Sequence, residues 1–238
     1  LIQGNDKTGE NITTDIPQVE SLEENTYQVD QMIQDELESG NYTFEEPFVI
    51  QNPYQNAPLT AFVVYTGDQE ASVRVTVKGK DEEHNIVDTL DAATQHKVPI
   101  VGLYADTDNE VLLEELDADG KVIKSSTINI ETESLPDELK DVVKLEEKTT
   151  VSAMGLMIVT GGGAPYLYGF DSNGDIRWYL LNKPGASFGG YPLTNGHFLI
   201  EAEDTLMPTC GKPRAAQFHE IDLMGRVYQD YFCDSGAH

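Results

Sequence analysis

The sequence predicts a mainly β protein in two parts, a β-sandwich followed by the opening blades of a β-propeller. Three observations carry this. Between Tyr42 and Thr132 short apolar runs, several alternating with period two, are broken by turn residues, about seven strands in roughly 90 residues, the pattern of a sandwich. Beyond Thr149 a unit recurs: Phe170, Asp171, Gly174 and Ile176 match Ile221, Asp222, Gly225 and Val227, each 51 positions on (170 to 221, 174 to 225). A period of about 40–50 residues with four short strands per unit is the spacing of propeller blades. The 20 Gly and 11 Pro suit short strands better than long helices.

The elements follow in order. Residues 1–41 read as an acidic arm and a short helix. Residues 1–26 are polar and without periodicity, which predicts a loose arm. From Tyr27 to Ser39, Val29, Met32, Ile33 and Leu37 fall at helical spacing, and Gly40 with Asn41 ends the helix. The sandwich spans 42–134. Ala61 to Tyr65 is a buried-strand run, and Ser72 to Lys78 alternates with Val73, Val75 and Val77 on one face. His96 to Val101 follows a charged loop, and Glu110 to Leu116 and Lys121 to Lys124 flank a turn at Asp117 to Gly120. Residues 135–148 read as a linker.

From 149 to 238 the candidate strands are Met154 to Val159, Tyr166 to Phe170, Asp175 to Leu180, His197 to Glu201, Ala215 to Ile221 and Arg226 to Phe232. Tight turns at Asp171 to Gly174, Thr194 to Gly196 and Asp222 to Gly225 separate them. Leu116, Asp117, Gly120 and Val122 repeat the same form inside the sandwich, so the unit also reads as a common hairpin. These residues hold fewer than two periods. A blade cannot bury its faces alone, so the expectation is a truncated propeller.

Composition bounds the partners. The 15 Lys and Arg against 42 Asp and Glu give a net charge of −27. Such a surface repels nucleic acid, whose binding needs clustered cations, and it repels anionic membranes. No run of about eighteen apolar residues is present to span a bilayer. The chain starts at Leu1 rather than Met, as a secreted, extracytoplasmic chain does after loss of its leader. Cys210 and Cys233 lie close enough in sequence for a local disulfide, with two free thiols as the alternative. No zinc-ligand spacing occurs, and no metal is expected.

Other motifs dissolve on inspection. Asp171 to Asp175 resembles part of a calcium loop, but position twelve is Asn182 and the flanks are strands. Gly161 to Gly163 lacks the lysine of a phosphate loop. No nucleophile elbow supports a serine triad. His84 and His96 sit in charged stretches and are expected to be solvated. Structural roles are expected for His197 and His219. His238 falls where a blade strand turns toward the propeller mouth, a place for a functional side chain.

Asn52 to Ala61, Val75 to Lys80 and Val98 to Tyr104 resemble the N-terminal immunoglobulin-like domain of bacterial arylsulfate sulfotransferases. Phe170 to Leu180, Leu193 to Phe198 and Glu220 to Tyr228 resemble that family's first propeller blades, so the likeness runs over about residues 45–238. The resemblance implies a six-bladed propeller with its active site in the central channel. It implies transfer of a sulfuryl group from a phenolic sulfate donor to a phenol acceptor through a sulfo-histidine, without a nucleotide donor or other cofactor. Imidazole suits that role, being a good neutral nucleophile near pH 7 and a workable leaving group. Arg and protonated His donors should surround the sulfate. A Debye length of about 8 Å lets such a cationic site persist inside an anionic protein.

Residue by residue the carry-over is short. The family's His-His-Asp segment after an early blade makes His238 the candidate sulfate contact. The nucleophilic histidine and its arginine belong to later blades, so no catalytic residue is expected here and the chain alone should be inactive. Cys210 and Cys233 do not match the family's short-range disulfide, and their pairing stays open. A homodimer is the assembly carried forward. The rival reading is a non-catalytic secreted β-sandwich module for binding or adhesion.

Overall fold

The chain opens with a hairpin, Ile2–Asn5 (β1) and Asn11–Thr14 (β2), then one helix, Leu22–Ser39 (α1), and the strand Phe48–Gln51 (β3). The computed structural model describes residues 2–5, 11–14, 22–144, 155–159, 166–181, 190–201, 206–209, 212–215 and 217–232. The hairpin corrects the expected loose arm. β1 lies antiparallel to β3 with Gly4 opposite Ile50. A sheet edge offers unpaired backbone groups to any extended segment, so this pairing needs no apolar alternation to signal it.

The helix also starts five residues earlier than its apolar spacing predicts. Its first turns are held by polar contacts: the Asn25 amide donates to the Tyr54 carbonyl at 3.0 Å, and Thr26 Oγ1 accepts from the Val227 backbone at 3.4 Å. Val29, Ile33 and Leu37 pack against Phe48, Ile50, Phe62 and Val64. Gly40 ends the helix with φ of 65°, in the left-handed region where a Cβ would be strained.

Thr60–Val77 (β4) is one strand where the sequence suggested two. Ile86–Val101 (β5) likewise runs through the expected charged loop, and Asp108–Leu116 (β6) and Val122–Glu131 (β7) follow. The sheet order is β2-β1-β3-β4-β6-β7, with β5 along the other side of β4. β3 pairs with the first half of β4 (Phe48 opposite Val64) and β6 with the second (Ser72 opposite Leu116). Register irregularities between Thr66 and Ala71 bend β4, and bulges of this kind curl a sheet. The curled sheet closes on its own apolar face: Ala61, Val63, Tyr65, Val73, Val75, Val77, Val98, Ile100, Val111 and Leu113 form one core. The other face of the first half lies under α1. The sandwich is therefore one continuous sheet folded over.

Among the described residues, the second part holds two larger antiparallel sheets. Met157–Val159 (β8), Tyr168–Phe170 (β9) and Ile176–Tyr179 (β10) form the first. Gly190–Pro192 (β11) and Phe198–Glu201 (β12) begin the second; a separate hairpin, Leu206–Thr209 (β13) with Lys212–Ala215 (β14), intervenes. Gln217–Ile221 (β15) and Val227–Phe232 (β16) complete it in the order β11-β12-β15-β16. Sheets of this size and up-and-down order are the form that propeller blades take. Trp178 stacks on Phe198 between them at 6.0 Å, within a core that also takes Ala57 from the sandwich.

The repeated unit is the turn that joins β9 to β10 and β15 to β16. Asp171 Oδ1 accepts from the backbones of Asn173 and Asp175 at 3.0 and 3.1 Å. Asp222 Oδ1 does the same for Met224 and Arg226 at 2.9 and 3.0 Å. Asp117 repeats it for Asp119 and Lys121 between β6 and β7, at 3.0 and 2.9 Å. In each the glycine has φ near 80°: Gly120 at 77°, Gly174 at 79°, Gly225 at 82°. An aspartate that closes its own turn, followed by a residue free to enter the left-handed region, makes this hairpin wherever it occurs.

Candidate functional site

His238, Cys210 and Cys233 lie outside the described residues. The other four histidines are placed. His84 and His96 are not solvated: they are 7% and 3% exposed. His84 is buried because it faces the other domain. Its Nε2 lies 2.8 Å from Ser172 Oγ, and its Nδ1 lies 2.5 Å from Asp81. His96 sits in β5 opposite Tyr65, ring on ring at 4.7 Å, and burial pushes its imidazole below the ordinary value. His197 and His219 each pair with a carboxylate of the second sheet: His197 Nδ1 with Glu220 at 2.7 Å, and His219 Nδ1 with Asp230. Glu220 and His219 are neighbours on one strand and face opposite sides, so the sheet does not bring the two pairs together.

What the fold does assemble is the junction between sandwich and sheets. Its centre is Arg177 on β10, wholly buried. Its Nε donates to the Gly102 carbonyl at 2.7 Å, and its Nη1 reaches the His84 carbonyl at 3.2 Å and Asp171 Oδ2 at 3.3 Å. The guanidinium lies 3.7 Å over the Tyr104 ring. The Tyr104 hydroxyl donates to the same Asp171 oxygen at 3.3 Å and accepts from the Lys80 backbone at 3.1 Å. One cation thus ties the first hairpin turn to two loops of the sandwich. Buried charges survive only when paired and hydrogen-bonded in this way.

A second set ties α1 and the sandwich to the second hairpin. Arg226 donates to Asp30 Oδ2 through Nε and Nη2 at 2.9 and 2.6 Å, and the Tyr54 hydroxyl donates to Asp30 Oδ1 at 2.6 Å. Burial alone would raise the Asp30 pKa. The bonds from Arg226 and Tyr54, with the charges of Lys97 and Arg226, outweigh it and hold the carboxyl below its ordinary value. Lys97 approaches Asp30 at 3.4 Å, and burial pushes its ammonium below the usual lysine range. Trp178 on β10 donates its indole N–H to the Leu223 carbonyl at 2.7 Å, which fixes one hairpin against the other sheet. Sequence reasoning missed this machinery. One signal existed, a lone arginine inside the apolar run from Ile176 to Leu180.

Comparison with known proteins agrees with this architecture part by part. The family model described as Arylsulfotransferase Ig-like domain matches residues 48–133, and Arylsulfotransferase (ASST) matches residues 140–238. An arylsulfate sulfotransferase of Escherichia coli O6:H1 is 26% identical, over 77% of this chain and 38% of the relative. One of Lelliottia amnigena is 24% identical with the same coverage, 77% and 38%. The chain thus spans 38% of the length of the curated relatives it matches. The sandwich is an immunoglobulin-like domain, and the chain belongs to the arylsulfotransferase family.

Proposed function

We propose that the whole protein containing these residues transfers a sulfuryl group from a phenolic sulfate ester to a phenol. The observation that carries the reading is the pairing of two matches in order, an immunoglobulin-like domain and then the arylsulfotransferase segment across residues 140–238. A non-catalytic adhesion module is the weaker reading, because it needs no likeness over the second part.

The reaction runs in two displacements. An imidazole nitrogen attacks sulfur, the aryl S–O bond breaks, and the phenolate leaves with the bonding pair. The acceptor phenol oxygen then attacks the sulfur of the sulfo-histidine, the N–S bond breaks, and the phenolic proton passes to a base. Neither displacement calls for a cofactor. His238 is the proposed sulfate contact, with the nucleophile and its arginine in later blades of a six-bladed ring. The 238 residues alone are accordingly inactive. Extracytoplasmic residence and a homodimer belong to the same proposal.

The test is to mix the full-length protein with an aryl sulfate and no acceptor, then digest and weigh the peptides. One SO3 group on a histidine, discharged when phenol is added, supports the mechanism. Transfer without any covalent intermediate rules out the sulfo-histidine, and no transfer at all rules out the function.

A further inference from the structure

The hairpin turn from Asp171 to Gly174 brings a serine against the buried His84 of the sandwich. Ser172 Oγ lies 2.8 Å from His84 Nε2, and Asp81 Oδ1 lies 2.5 Å from Nδ1 on the other side of the ring. The Asn173 amide stands farther off, at 3.3 Å from the same Nδ1. Asp81 caps the short turn Glu82–His84, its Oδ1 also accepting from the Glu83 and His84 backbones at 3.1 and 3.2 Å. The bond to the His84 ring, helped by those two N–H groups, holds the Asp81 carboxyl below its ordinary value. An ionised carboxylate only accepts, so Nδ1 carries the proton and Nε2 turns its lone pair on the serine hydroxyl.

Ser172, His84 and Arg177 also line a recess of about 20 Å³, room for a single oxygen atom. Arg177 is wholly buried, and its Nη2 has no hydrogen-bond partner among the described residues. Asp171, in the same lining, is engaged by Arg177 Nη1, the Tyr104 hydroxyl and two backbone N–H groups. Glu83 at the rim is exposed, so a neutral substrate suits the place better than an anion. Gly155 leaves the rim open, since a Cβ there would meet nothing within 4 Å, and Ser172 is half-buried rather than sealed. Carboxylate, imidazole and hydroxyl thus stand in the order that activates a serine, beside an unspent N–H donor. Such a constellation is recognised by geometry and not by sequence order. No elbow motif announced it, because the serine lies on a hairpin turn 88 residues from its base.

We propose that Ser172, His84 and Asp81 give this protein a further activity, hydrolysis of small neutral esters through an acyl-serine. Ser172 Oγ attacks the carbonyl carbon while His84 Nε2 takes the hydroxyl proton. The carbonyl oxygen becomes an oxyanion, held in the recess by Arg177 Nη2. The ester C–O bond then breaks, and His84 passes the proton to the departing alkoxide. In the second half His84 takes a proton from water, the hydroxide attacks the acyl carbon, the bond to Ser172 breaks, and Oγ recovers the proton. Ester and water yield an alcohol and a carboxylic acid. The small recess, with Ile86 and Leu156 in its lining, restricts the acyl group to a short chain. Nothing in this depends on sulfuryl transfer.

The experiment gives the full-length protein 4-nitrophenyl acetate and follows nitrophenolate. A second sample is treated with phenylmethanesulfonyl fluoride, whose fluoride an activated serine displaces, and its peptides are weighed. The expected result is saturable release, lower by roughly a hundredfold or more in Ser172→Ala and in His84→Gln, with one sulfonyl group on the peptide carrying Ser172. Ser172→Ala removes a single oxygen and should melt with the native protein, which separates lost chemistry from lost fold. Asp81→Ser keeps a capping oxygen and should lower kcat with KM unchanged, as loss of a residue that positions the imidazole does. Release undiminished in Ser172→Ala, sulfonylation only at other residues, or no release at all overturns the proposal. Acyl and sulfuryl transfer are read on different donors, so failure here leaves the proposed function standing.

Discussion

Replacing Arg177 with methionine tests how tightly the immunoglobulin-like domain is fastened to the sheets that follow. Methionine keeps most of the stem's apolar bulk and removes the charge. The change strands Asp171, 5% exposed, whose Oδ2 keeps, among the described residues, only the Tyr104 hydroxyl at 3.3 Å. Removing one partner of a buried pair costs roughly 3–5 kcal/mol. The carbonyls of Gly102 and His84 lose a donor too, at about 1 kcal/mol or more each, but the terms share one guanidinium and do not add. A total of about 4 kcal/mol follows, which for a chain of this size lowers Tm by roughly 8–16 °C. Thermal unfolding followed by Trp178 fluorescence reads it directly, since the indole adjoins Arg177 in sequence. Arg74→Met is the control: its pair with Glu114 at 2.8 Å is only part-buried, the side chains being 36% and 16% exposed, and it contributes less than a fully buried pair. If Arg177→Met melts no lower than Arg74→Met, the buried guanidinium is not what holds the junction.

Other outcomes follow from single positions. Gly225→Ala places a Cβ 3.1 Å from Asn56 and 3.3 Å from Ala57 at φ of 82°, whereas Gly120→Ala at φ of 77° meets nothing within 4 Å. Both lose about 1–2 kcal/mol from backbone strain, and denaturant melts should show Gly225→Ala losing about 1 kcal/mol more from overpacking. Asp30 has a folded pKa below its ordinary 3.8, so its contribution is complete above that value and is lost as pH falls through the folded one. Asp30→Asn should therefore be less stable than the native chain at neutral pH, and the gap should close below pH 3.8 in acid titrations. Glu115 is buried and its pKa is raised, chiefly by burial. Its ionised form opposes folding above the ordinary carboxylate range, so Glu115→Gln should raise Tm at neutral pH and lose that advantage in acid.

What was legible in the sequence was local. Val73, Val75 and Val77 announced a strand by alternation, and the three Asp-x-x-Gly turns announced hairpins because the aspartate and the glycine close the turn by themselves. That same locality limits the repeat: an identical turn at Asp117 lies within the sandwich, so it marks hairpins rather than blades. Long-range partners were hidden. His84 looked solvated beside Asp81, Glu82 and Glu83, yet its ring is covered by Ser172, 88 residues away. Asp30 carried no signal in the sequence, because its partner Arg226 is 196 residues on. The continuity of β4 through Gly67 and Asp68 was obscured because turn-forming residues there serve a bulge instead. Family likeness, read from Phe170 to Leu180 and Asn52 to Ala61, supplied what periodicity did not.

The most direct test of the proposed function is steady-state transfer by the full-length protein with 4-nitrophenyl sulfate as donor. Nitrophenolate release that depends on added phenol, with phenyl sulfate formed in equal amount, is the predicted result. Release that ignores the phenol and yields only inorganic sulfate, or no release at all, would contradict it.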